Sequence, residues 1–394
     1  MQYVLTTVTA AIGLASLAGA AETTATVHRR GHLANARVRF AREKVGHVAF
    51  LGGSITEMNG YRPRVCKLLQ RRFPDTKFTF TDAGIASTCS TTGAFRLADD
   101  VLAAGPVDLL FVEFAVNDDQ DANHARRECI RGMEGIVRRT RKHNACADVV
   151  ITHFINPGML KTLQAGKTPL TAAAHEEVAR HYGVSTIDLA REVARRISAG
   201  TLTWKTFGGT HPAPAGNAIC AGMIDNLLRD AWKQPLPANA ARKPYALPEP
   251  LDAFSYAHGR FVDPARAKIA GGWTVAVPEW KKIKGSFRGR FGGIRCLCAE
   301  KPGAELTLDF TGTAVGAYVL AGPDAGTVEA RVDAAPAKAI DLYHRFSRGL
   351  HYPRTVMFAT DLKAGKHTLR LRMTDRHNAD STGTAGRILK FVAN

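Results

Sequence analysis

The chain of 394 residues contains 45% hydrophobic and 22% charged residues and carries a formal net charge of +18. This composition excludes a disordered chain, a collagen-like fibre and a small disulfide scaffold, because each of these departs strongly from globular averages. The surplus of positive charge favours anionic partners such as nucleic acid, acidic lipid or acidic polysaccharide, although an arginine-rich composition without a functional role gives the same value.

The first 20 residues contain no Lys, Arg, Asp or Glu. An apolar stretch, Val4–Leu17, is followed by the small residues Ala18-Gly19-Ala20. This pattern predicts a secretory signal peptide over residues 1–20 and therefore a secreted or periplasmic protein, although the basic residue usual near the start is missing. The stretch is too short and too rich in small residues to predict a membrane span, so we expect no stable membrane insertion.

Residues 21–232 are predicted to form an α/β domain with a parallel sheet, because short apolar runs alternate with helical patterns. The predicted strands are Val48–Leu51, Phe78–Thr81, Leu109–Phe114, Val149–His153 and Val184–Ile187. The predicted helices are Tyr61–Phe73, Thr92–Ala103, Ala125–His143, Ala172–Tyr182 and Ala215–Trp232.

The composition changes at residues 233–250, which contain prolines 235, 237, 244, 248 and 250 and are predicted to be an interdomain linker. Beyond it, the apolar residues recur with period two in Ala304–Phe310, Thr327–Asp333 and Lys366–Met373. Residues 251–394 are therefore predicted to be an all-β accessory domain, a β-sandwich resembling a jelly roll.

The chain has seven cysteines, so at least one thiol stays unpaired unless a second chain is involved. Cys296 and Cys298 point to the same face of a predicted strand, but no second Cys or His pair completes a zinc motif. We predict no metal site and leave the disulfide pairing open.

A serine and a histidine carry the strongest candidates for chemistry. Ser54 follows Gly52-Gly53 at the end of the first predicted strand, where glycines allow a tight turn and the hydroxyl can enter the crevice at the carboxyl ends of the strands. His211 lies in a loop before the last helix of the domain and could reach the same edge as a general base. A single serine or a single histidine in such a loop more often has no catalytic role than a catalytic one.

Two further polar positions follow the next strands along the chain. Gly84 comes at the end of the second predicted strand, and Asn117 comes shortly after the third. The backbone N–H of Gly84 and the side-chain amide of Asn117 are suitable donors for a developing oxyanion. The order Ser, Gly, Asn, His at successive strand ends is far more specific than any one of the four.

This ordered set resembles the SGNH branch of the GDSL esterase/lipase superfamily. Ser54 matches the nucleophile, with Gly-Gly-Ser replacing the usual Gly-Asp-Ser, and Gly84 matches the second block. Asn117 matches the third block, in which Ala115 replaces a glycine, and His211 matches the base. The resemblance covers about residues 45–232 and implies a flavodoxin-like three-layer α/β/α fold. It also implies an oxyanion hole made by Ser54, Gly84 and Asn117, and no cofactor.

One position departs from this family. The acid that orients the histidine usually lies three residues before it, where this chain has Gly208. Without a carboxylate, the imidazole loses support for its tautomer and charge. Two alternatives follow: a Ser–His dyad, which we prefer, or a displaced acid among Asp118, Asp119 and Asp121.

The combination of a signal peptide, this domain and a β-sandwich resembles bacterial carbohydrate esterases that remove acetyl groups from polysaccharides. We therefore expect a secreted serine esterase (a carboxylic ester hydrolase) that acts on a glycan ester, and an acidic polysaccharide is a candidate. The alternatives are a lipase or thioesterase on small acyl esters and a non-catalytic glycan-binding protein. Nucleic-acid binding ranks last because the chain has no recognisable motif. The acyl group, the sugar and the oligomeric state stay open.

Two segments of the second domain have no assigned role. Residues 281–295 hold six basic and no acidic residues beside several aromatic ones, and residues 342–353 are rich in His and Tyr. The first either contacts a glycan or consists of core aromatics and solvated charges. The second either closes over the crevice or packs at the domain interface.

Overall fold

The computed structural model describes residues 25–31 and 33–394, so the predicted signal peptide lies outside the described residues. The first domain is built on a six-stranded sheet with the order β1-β6-β5-β4-β2-β3. Strands β2 to β6 run parallel, and β1 is antiparallel at one edge. The strands are β1 Val27–His28, β2 Val45–Gly52, β3 Lys77–Gly84, β4 Leu109–Glu113, β5 Asp148–Thr152 and β6 Ser185–Ile187.

Helices cover both faces of this sheet, as its apolar strands require. The helices are α1 Ala34–Ala41, α2 Ser54–Glu57, α3 Tyr61–Arg72, α4 Ser90–Asp100, α5 Arg126–His143, α6 Pro157–Gln164, α7 Leu170–His181, α8 Leu189–Ser198, α9 Trp204–Phe207 and α10 Pro214–Ala231. Helices α4, α5 and α7 pack on one face, and α1, α3, α6, α8 and α10 pack on the other. This confirms the predicted three-layer α/β/α architecture.

The second domain consists of two antiparallel sheets, which confirms the predicted all-β fold. One has the order β15-β12-β17-β10-β9, with β7 also paired to β17, and the other has the order β14-β13-β16-β11-β8. Alternate residues such as Leu306, Leu308, Leu369 and Leu371 fill the core between the sheets. The strands are β7 Arg260–Val262, β8 Lys268–Gly271, β9 Thr274–Ala276, β10 Cys296–Ala299, β11 Glu305–Gly312, β12 Val315–Ala321, β13 Gly326–Val332, β14 Lys338–Asp341, β15 Tyr352–Ala359, β16 Gly365–His377 and β17 Gly386–Ala393.

The proline-rich linker lies against the first domain. The side chain of Asn35 donates to the Lys243 carbonyl over 2.8 Å and accepts from its N–H over 2.7 Å. Farther along, the Tyr245 hydroxyl donates to the buried carboxylate of Asp148, and Arg138 donates to the Pro248 carbonyl over 2.6 Å. These bonds attach the proline-rich segment to the surface of the α/β domain.

Polar contacts join the two domains directly. The buried Arg131 of α5 forms ion pairs with Asp252, at 3.1 Å, and with Asp361 of the second domain. Thr92 and Thr355 share a hydrogen bond of 2.9 Å across the same boundary. The second domain is therefore held in a defined position beside α4 and α5.

All seven cysteines are free thiols, and Cys296 Sγ lies 3.9 Å from Cys298 Sγ. Within the described part of the chain, no helix is both long and apolar enough to cross a membrane.

Candidate active site

Ser54 is presented by a tight turn between β2 and the short helix α2. A Cβ atom on Gly52 would lie 2.2 Å from Oε1 of Glu113, and one on Gly53 would lie 2.2 Å from Oδ1 of Asn117. Neither distance is possible for real atoms, so both positions require glycine in this arrangement. The turn places Ser54 at the carboxyl end of β2, next to the edge strand β3.

The buried carboxyl group of Glu113 holds this turn from below. Its Oε1 atom accepts hydrogen bonds from the Gly53 N–H and the Thr56 hydroxyl, each over 2.8 Å. Burial raises the pKa of Glu113 to about 7, although the bonds from Thr56 and Gly53 oppose this rise. Glu113 was not among the site residues predicted from the sequence. The feature that could have indicated it is that this acidic residue ends an otherwise apolar strand.

The fully buried side chain of Arg96 braces the same strand ends. Its guanidinium donates to the Ala83 carbonyl over 2.7 Å and to the Gly52 carbonyl over 2.9 Å, and it forms a 2.8 Å ion pair with Asp100. Arg96 thereby ties the carboxyl ends of β2 and β3 together.

His211 and Ser54 meet as predicted. The Nε2 atom of His211 lies 2.8 Å from Oγ of Ser54, which is hydrogen-bond distance for a base and its nucleophile. The loop that carries His211 is fixed by Asn217 of α10, whose side chain donates to the Pro212 carbonyl over 2.5 Å. Both catalytic candidates are accessible to solvent.

The position of the usual triad acid cannot carry a side chain here. Gly208 has φ of 105°, and a Cβ atom on it would lie 2.0 Å from the backbone nitrogen of Ala213. Among the described residues, no carboxylate forms a hydrogen bond or ion pair with His211. The loop geometry thus explains why the sequence has glycine at this position.

Two of the acidic residues predicted as alternative partners of His211, Asp118 and Asp119, form hydrogen bonds with other residues. Asp118 is fully buried and accepts from the N–H and hydroxyl of Ser90, each over 2.7 Å, and it lies 2.9 Å from Nε2 of His175. Asp119 accepts from the side chain of Asn156 over 2.7 Å. Neither group contacts His211 in this structure.

Asn117 and the third acidic candidate, Asp121, face each other across one π-helical turn. The turn is closed by the bond of 2.8 Å from the Ala122 N–H to the Asn117 carbonyl. Nδ2 of Asn117 donates to Oδ2 of Asp121 over 2.5 Å. An amide has two N–H donors, so one remains available to a ligand above Gly53.

Gly84 lies beside the nucleophile turn, but its N–H is already occupied. It donates to Oδ1 of Asp82 over 3.0 Å at the outer edge of the sheet, and its oxyanion role stays a prediction. Glycine is needed there because a Cβ atom would lie 2.2 Å from the backbone nitrogen of Glu57. The structure therefore gives Gly84 a role in close backbone packing.

Ser87, three residues later, was missed by sequence analysis. It has φ of 73°, and its N–H has no hydrogen-bond partner among the residues described. Its turn is anchored beside Ser54, because the Ile85 N–H donates to the Gly52 carbonyl and the Ala86 N–H to the Glu57 carboxylate, each over 3.0 Å. A serine in a left-handed conformation is uncommon, and the sequence alone gives no sign of it.

The second domain contributes side chains to the rim of this site. Arg288 donates to the Ser87 hydroxyl over 2.6 Å, and Arg290 lies 3.3 Å from both the Gly84 carbonyl and the Glu57 carboxylate. In the basic segment 281–295, the aromatic ring of Phe291 is buried, whereas Phe287 is 36% exposed. The segment thus combines core packing with contacts to the active-site loops.

The His- and Tyr-rich segment, residues 342–353, packs at the domain interface. His344 Nε2 lies 2.7 Å from the Asp121 carbonyl, and the Tyr352 hydroxyl donates to Oδ1 of Asp121 over 2.8 Å. Their rings stack at a centroid distance of 4.4 Å. Of the two alternatives for this segment, the structure therefore supports interface packing.

Two clusters of three side chains beside the site are of types that can bind a metal. The ligand atoms of Cys89, Asp118 and His124, and those of Asp118, Cys129 and His175, lie within 4.8 Å of one another. Burial lowers the pKa of His124, but the charges of Cys89 and Asp118 outweigh it and raise that pKa well above its usual value. Nδ1 of His124 lies 3.6 Å from Oδ1 of Asp118.

A serine–histidine pair at the carboxyl edge of an α/β/α sheet, with amide donors beside the serine, is an arrangement that serine hydrolases use. Residues 50–219 match the sequence model of the GDSL-like Lipase/Acylhydrolase family. The match lies within the first domain, which is therefore similar to this family of hydrolases.

Solved structures share the whole two-domain arrangement. A two-domain esterase (CEX) active on acetylated mannans has a TM-score of 0.74 and 22% identity, and the match covers 93% of this chain and 97% of that chain. The same esterase co-crystallized with mannopentaose has a TM-score of 0.73 and 21% identity over 93% and 96% of the two chains. At this identity, the likeness establishes the fold. No curated protein sequence matches the chain.

Proposed function

We propose that the protein is a secreted or periplasmic serine esterase that removes O-acyl groups, foremost acetyl groups, from a polysaccharide. The observation that carries this proposal is the 2.8 Å hydrogen bond between Ser54 Oγ and His211 Nε2. A degenerate, non-catalytic glycan-binding domain would have no need to keep this pair at hydrogen-bond distance.

The first step is acylation of Ser54. His211 accepts the hydroxyl proton at Nε2 while Oγ attacks the ester carbonyl, which becomes a tetrahedral oxyanion. The Ser54 N–H and the free N–H of Asn117 donate to this oxyanion, and the Ser87 N–H takes the place that sequence analysis gave to Gly84. The bond between the carbonyl carbon and the sugar oxygen then breaks, and His211 gives its proton to that oxygen, which leaves as a sugar hydroxyl.

The second step is hydrolysis of the acyl-enzyme. Water enters from the exposed face of the site and gives a proton to His211 Nε2 as it attacks the acyl carbonyl. The same donors stabilise the second oxyanion, and collapse of this intermediate returns the proton to Ser54. No step uses a cofactor.

His211 works without a carboxylate in this proposal. Gly208 has no room for a side chain, and the carboxylates of Asp118 and Asp119 are bonded to other residues. Asn217 fixes the loop that carries the imidazole by donating to the Pro212 carbonyl. The centre is thus a Ser–His dyad.

A polysaccharide ester is the substrate class that the two-domain architecture favours. The two-domain esterase with the same domain arrangement is active on acetylated mannans, so acetylated mannan is the first substrate to test. The net charge of +18 and the exposed Phe287 beside basic residues also suit an acidic glycan, which binds by charge and stacking.

The test is release of acetate by the purified protein from an aryl acetate, from acetylated mannan and from acetylated pectin. Ser54→Ala and His211→Ala should each lower kcat at least a thousandfold, because each removes one half of the reacting pair. The matched controls, Ser198→Ala and His143→Ala, change exposed residues at helix ends and should keep full activity. Equal rates in the wild type and both site variants would contradict the proposal.

A further inference from the structure

Two hydrogen bonds connect the oxyanion-hole asparagine to the second domain. Tyr352, at the start of β15, donates to Oδ1 of Asp121 over 2.8 Å, and Oδ2 of Asp121 accepts from Nδ2 of Asn117 over 2.5 Å. We propose that the second domain completes the catalytic centre and that Tyr352 is a positioning residue that acts on Asn117 through Asp121. This inference rests on the proposed function, because it assumes that Asn117 binds the oxyanion.

Asn117 needs an external group to fix its amide. Its Oδ1 atom is buried beside Gly53 and has no hydrogen-bond partner in the described part of the chain. The bond to Asp121 is therefore the contact that sets which way the amide faces. An amide rotated by half a turn would present oxygen to the Asp121 carboxylate and would lose the donor that the oxyanion requires.

Asp121 in turn needs Tyr352. The carboxyl group is largely buried, and burial raises its pKa, whereas the bonds from Tyr352 and Asn117 lower it. A buried carboxylate without donors is costly, so the Tyr352 hydroxyl helps to keep Asp121 charged and facing Asn117. His344, stacked on Tyr352, holds the Asp121 carbonyl at 2.7 Å and so fixes the backbone of the same residue.

The second domain also contacts the loop that contains Gly84 and Ser87, on the other side of the proposed oxyanion site. Arg288 donates to the Ser87 hydroxyl over 2.6 Å, and Arg290 contacts the Gly84 carbonyl at 3.3 Å. Both segments that supply oxyanion donors therefore contact the β-sandwich domain, which a detached glycan-binding module would not require.

The experiment is a double-mutant cycle on the full chain with Tyr352→Phe, Asn117→Ala and the two combined, measured as kcat and KM on an aryl acetate. Tyr352→Phe keeps the ring and should lower kcat about tenfold, the size of one charge-assisted hydrogen bond, with KM changed less than about twofold. Asn117→Ala should lower kcat about a hundredfold or more. The combined variant should be no slower than Asn117→Ala, since Tyr352 acts through Asn117.

A matched control separates positioning from general domain docking. Thr355→Val removes another interdomain hydrogen bond, of 2.9 Å to Thr92, and should leave kcat unchanged. Thermal unfolding of every variant shows whether a loss of kcat comes from loss of folded protein. Equal losses in Thr355→Val and Tyr352→Phe, or a combined variant about tenfold slower than Asn117→Ala, would overturn the inference.

The outcome also separates this inference from the proposed function. Full activity of Ser54→Ala would contradict the esterase mechanism itself. Loss of activity in Ser54→Ala together with unchanged kcat in Tyr352→Phe would overturn only the role of the second domain. Unchanged kcat in Asn117→Ala would likewise overturn the inference, because Asn117 would then not serve the oxyanion.

Discussion

The Nε2 atom of His211 lies 2.8 Å from the Oγ atom of Ser54, although the two residues are 157 positions apart in the sequence. The α/β sheet creates this contact, because the turn after β2 and the loop before α10 open at the same edge. The imidazole then has the nucleophile on one side and no carboxylate partner among the described residues on the other.

The first prediction concerns the position of the usual triad acid. Gly208→Asp should not raise kcat and should destabilise the protein by about 2 kcal/mol or more, because its Cβ atom would lie 2.0 Å from Ala213 N. Gly166→Asp is the matched control, with φ of 73° and no atom within 4 Å of a Cβ, and should cost about 1 kcal/mol from backbone conformation alone. Urea unfolding and aryl acetate kinetics measure both, and a gain in kcat for Gly208→Asp would contradict the expected geometry.

The second prediction concerns a displaced acid. Asp119→Asn should keep kcat within about threefold of the wild type, because its carboxylate is bonded to Asn156 and not to His211. Disabling the acid of a true triad costs about 10⁴-fold in kcat. Steady-state kinetics on an aryl acetate decide between these values, and a loss near the larger figure would identify Asp119 as the partner of His211.

The third prediction concerns Gly53, which stands where the family usually has aspartate. Gly53→Ala should lower kcat about tenfold or more, because the new Cβ would lie 2.2 Å from Oδ1 of Asn117 and would displace the amide from the oxyanion. Gly222→Ala, where a Cβ meets nothing within 4 Å, is the control and should keep full activity. If both variants have the wild-type kcat, the tight contact between Gly53 and Asn117 has no catalytic importance.

The fourth prediction concerns the buried carboxyl group of Glu113. Its pKa is raised from 4.5 to about 7 in the folded protein, so the native state binds more protons than the unfolded chain between these values. This contribution to stability is complete below the unfolded pKa and is lost as the pH rises through about 7. The full difference is about 3 kcal/mol.

Glu113→Gln removes this titration and should therefore flatten the dependence of stability on pH. Urea unfolding at about pH 5 and about pH 8 should show the wild type losing more stability with rising pH than the variant, by up to about 3 kcal/mol. Glu249→Gln, at an exposed position in the linker, should follow the wild type. Parallel wild-type and Glu113→Gln curves would show that the carboxyl group is not protonated on folding.

Much of the first domain was readable from the sequence. The apolar runs predicted β2 to β6, and every residue of β4, β5 and β6 is buried, as in strands that are covered on both faces. Helices α6 and α8 were missed despite their capping signals. Asn156 caps α6 by accepting from the Met159 N–H over 2.8 Å, and Asp188 caps α8 by accepting from the Arg191 N–H over 2.9 Å.

In the second domain, apolar residues that alternate with polar ones predicted β11, β13 and β16, whose outward-facing side chains are more exposed than the inward-facing ones. This pattern did not predict β12, Val315–Ala321, because every residue of that strand is buried and its apolar residues do not alternate with polar ones.

The parts of the site that were missed depend on tertiary contacts. Tyr352 and Asp121 are 231 positions apart, so no local pattern connects them. The direction of the Gly84 N–H depends on β3 being an edge strand, and the left-handed conformation of Ser87 depends on its turn. Residue order predicted which strand ends carry chemistry, whereas the proposed donors and the residues that hold them required three-dimensional structure.

The most direct test of the account is to identify the acyl-enzyme. The protein is mixed with an aryl acetate, quenched in acid within the first turnovers, digested and examined by mass spectrometry. We predict an added acetyl group on the peptide that contains Ser54, at that residue, and none in Ser54→Ala. An acetyl group found on another residue, or hydrolysis by Ser54→Ala at the wild-type rate, would contradict the account.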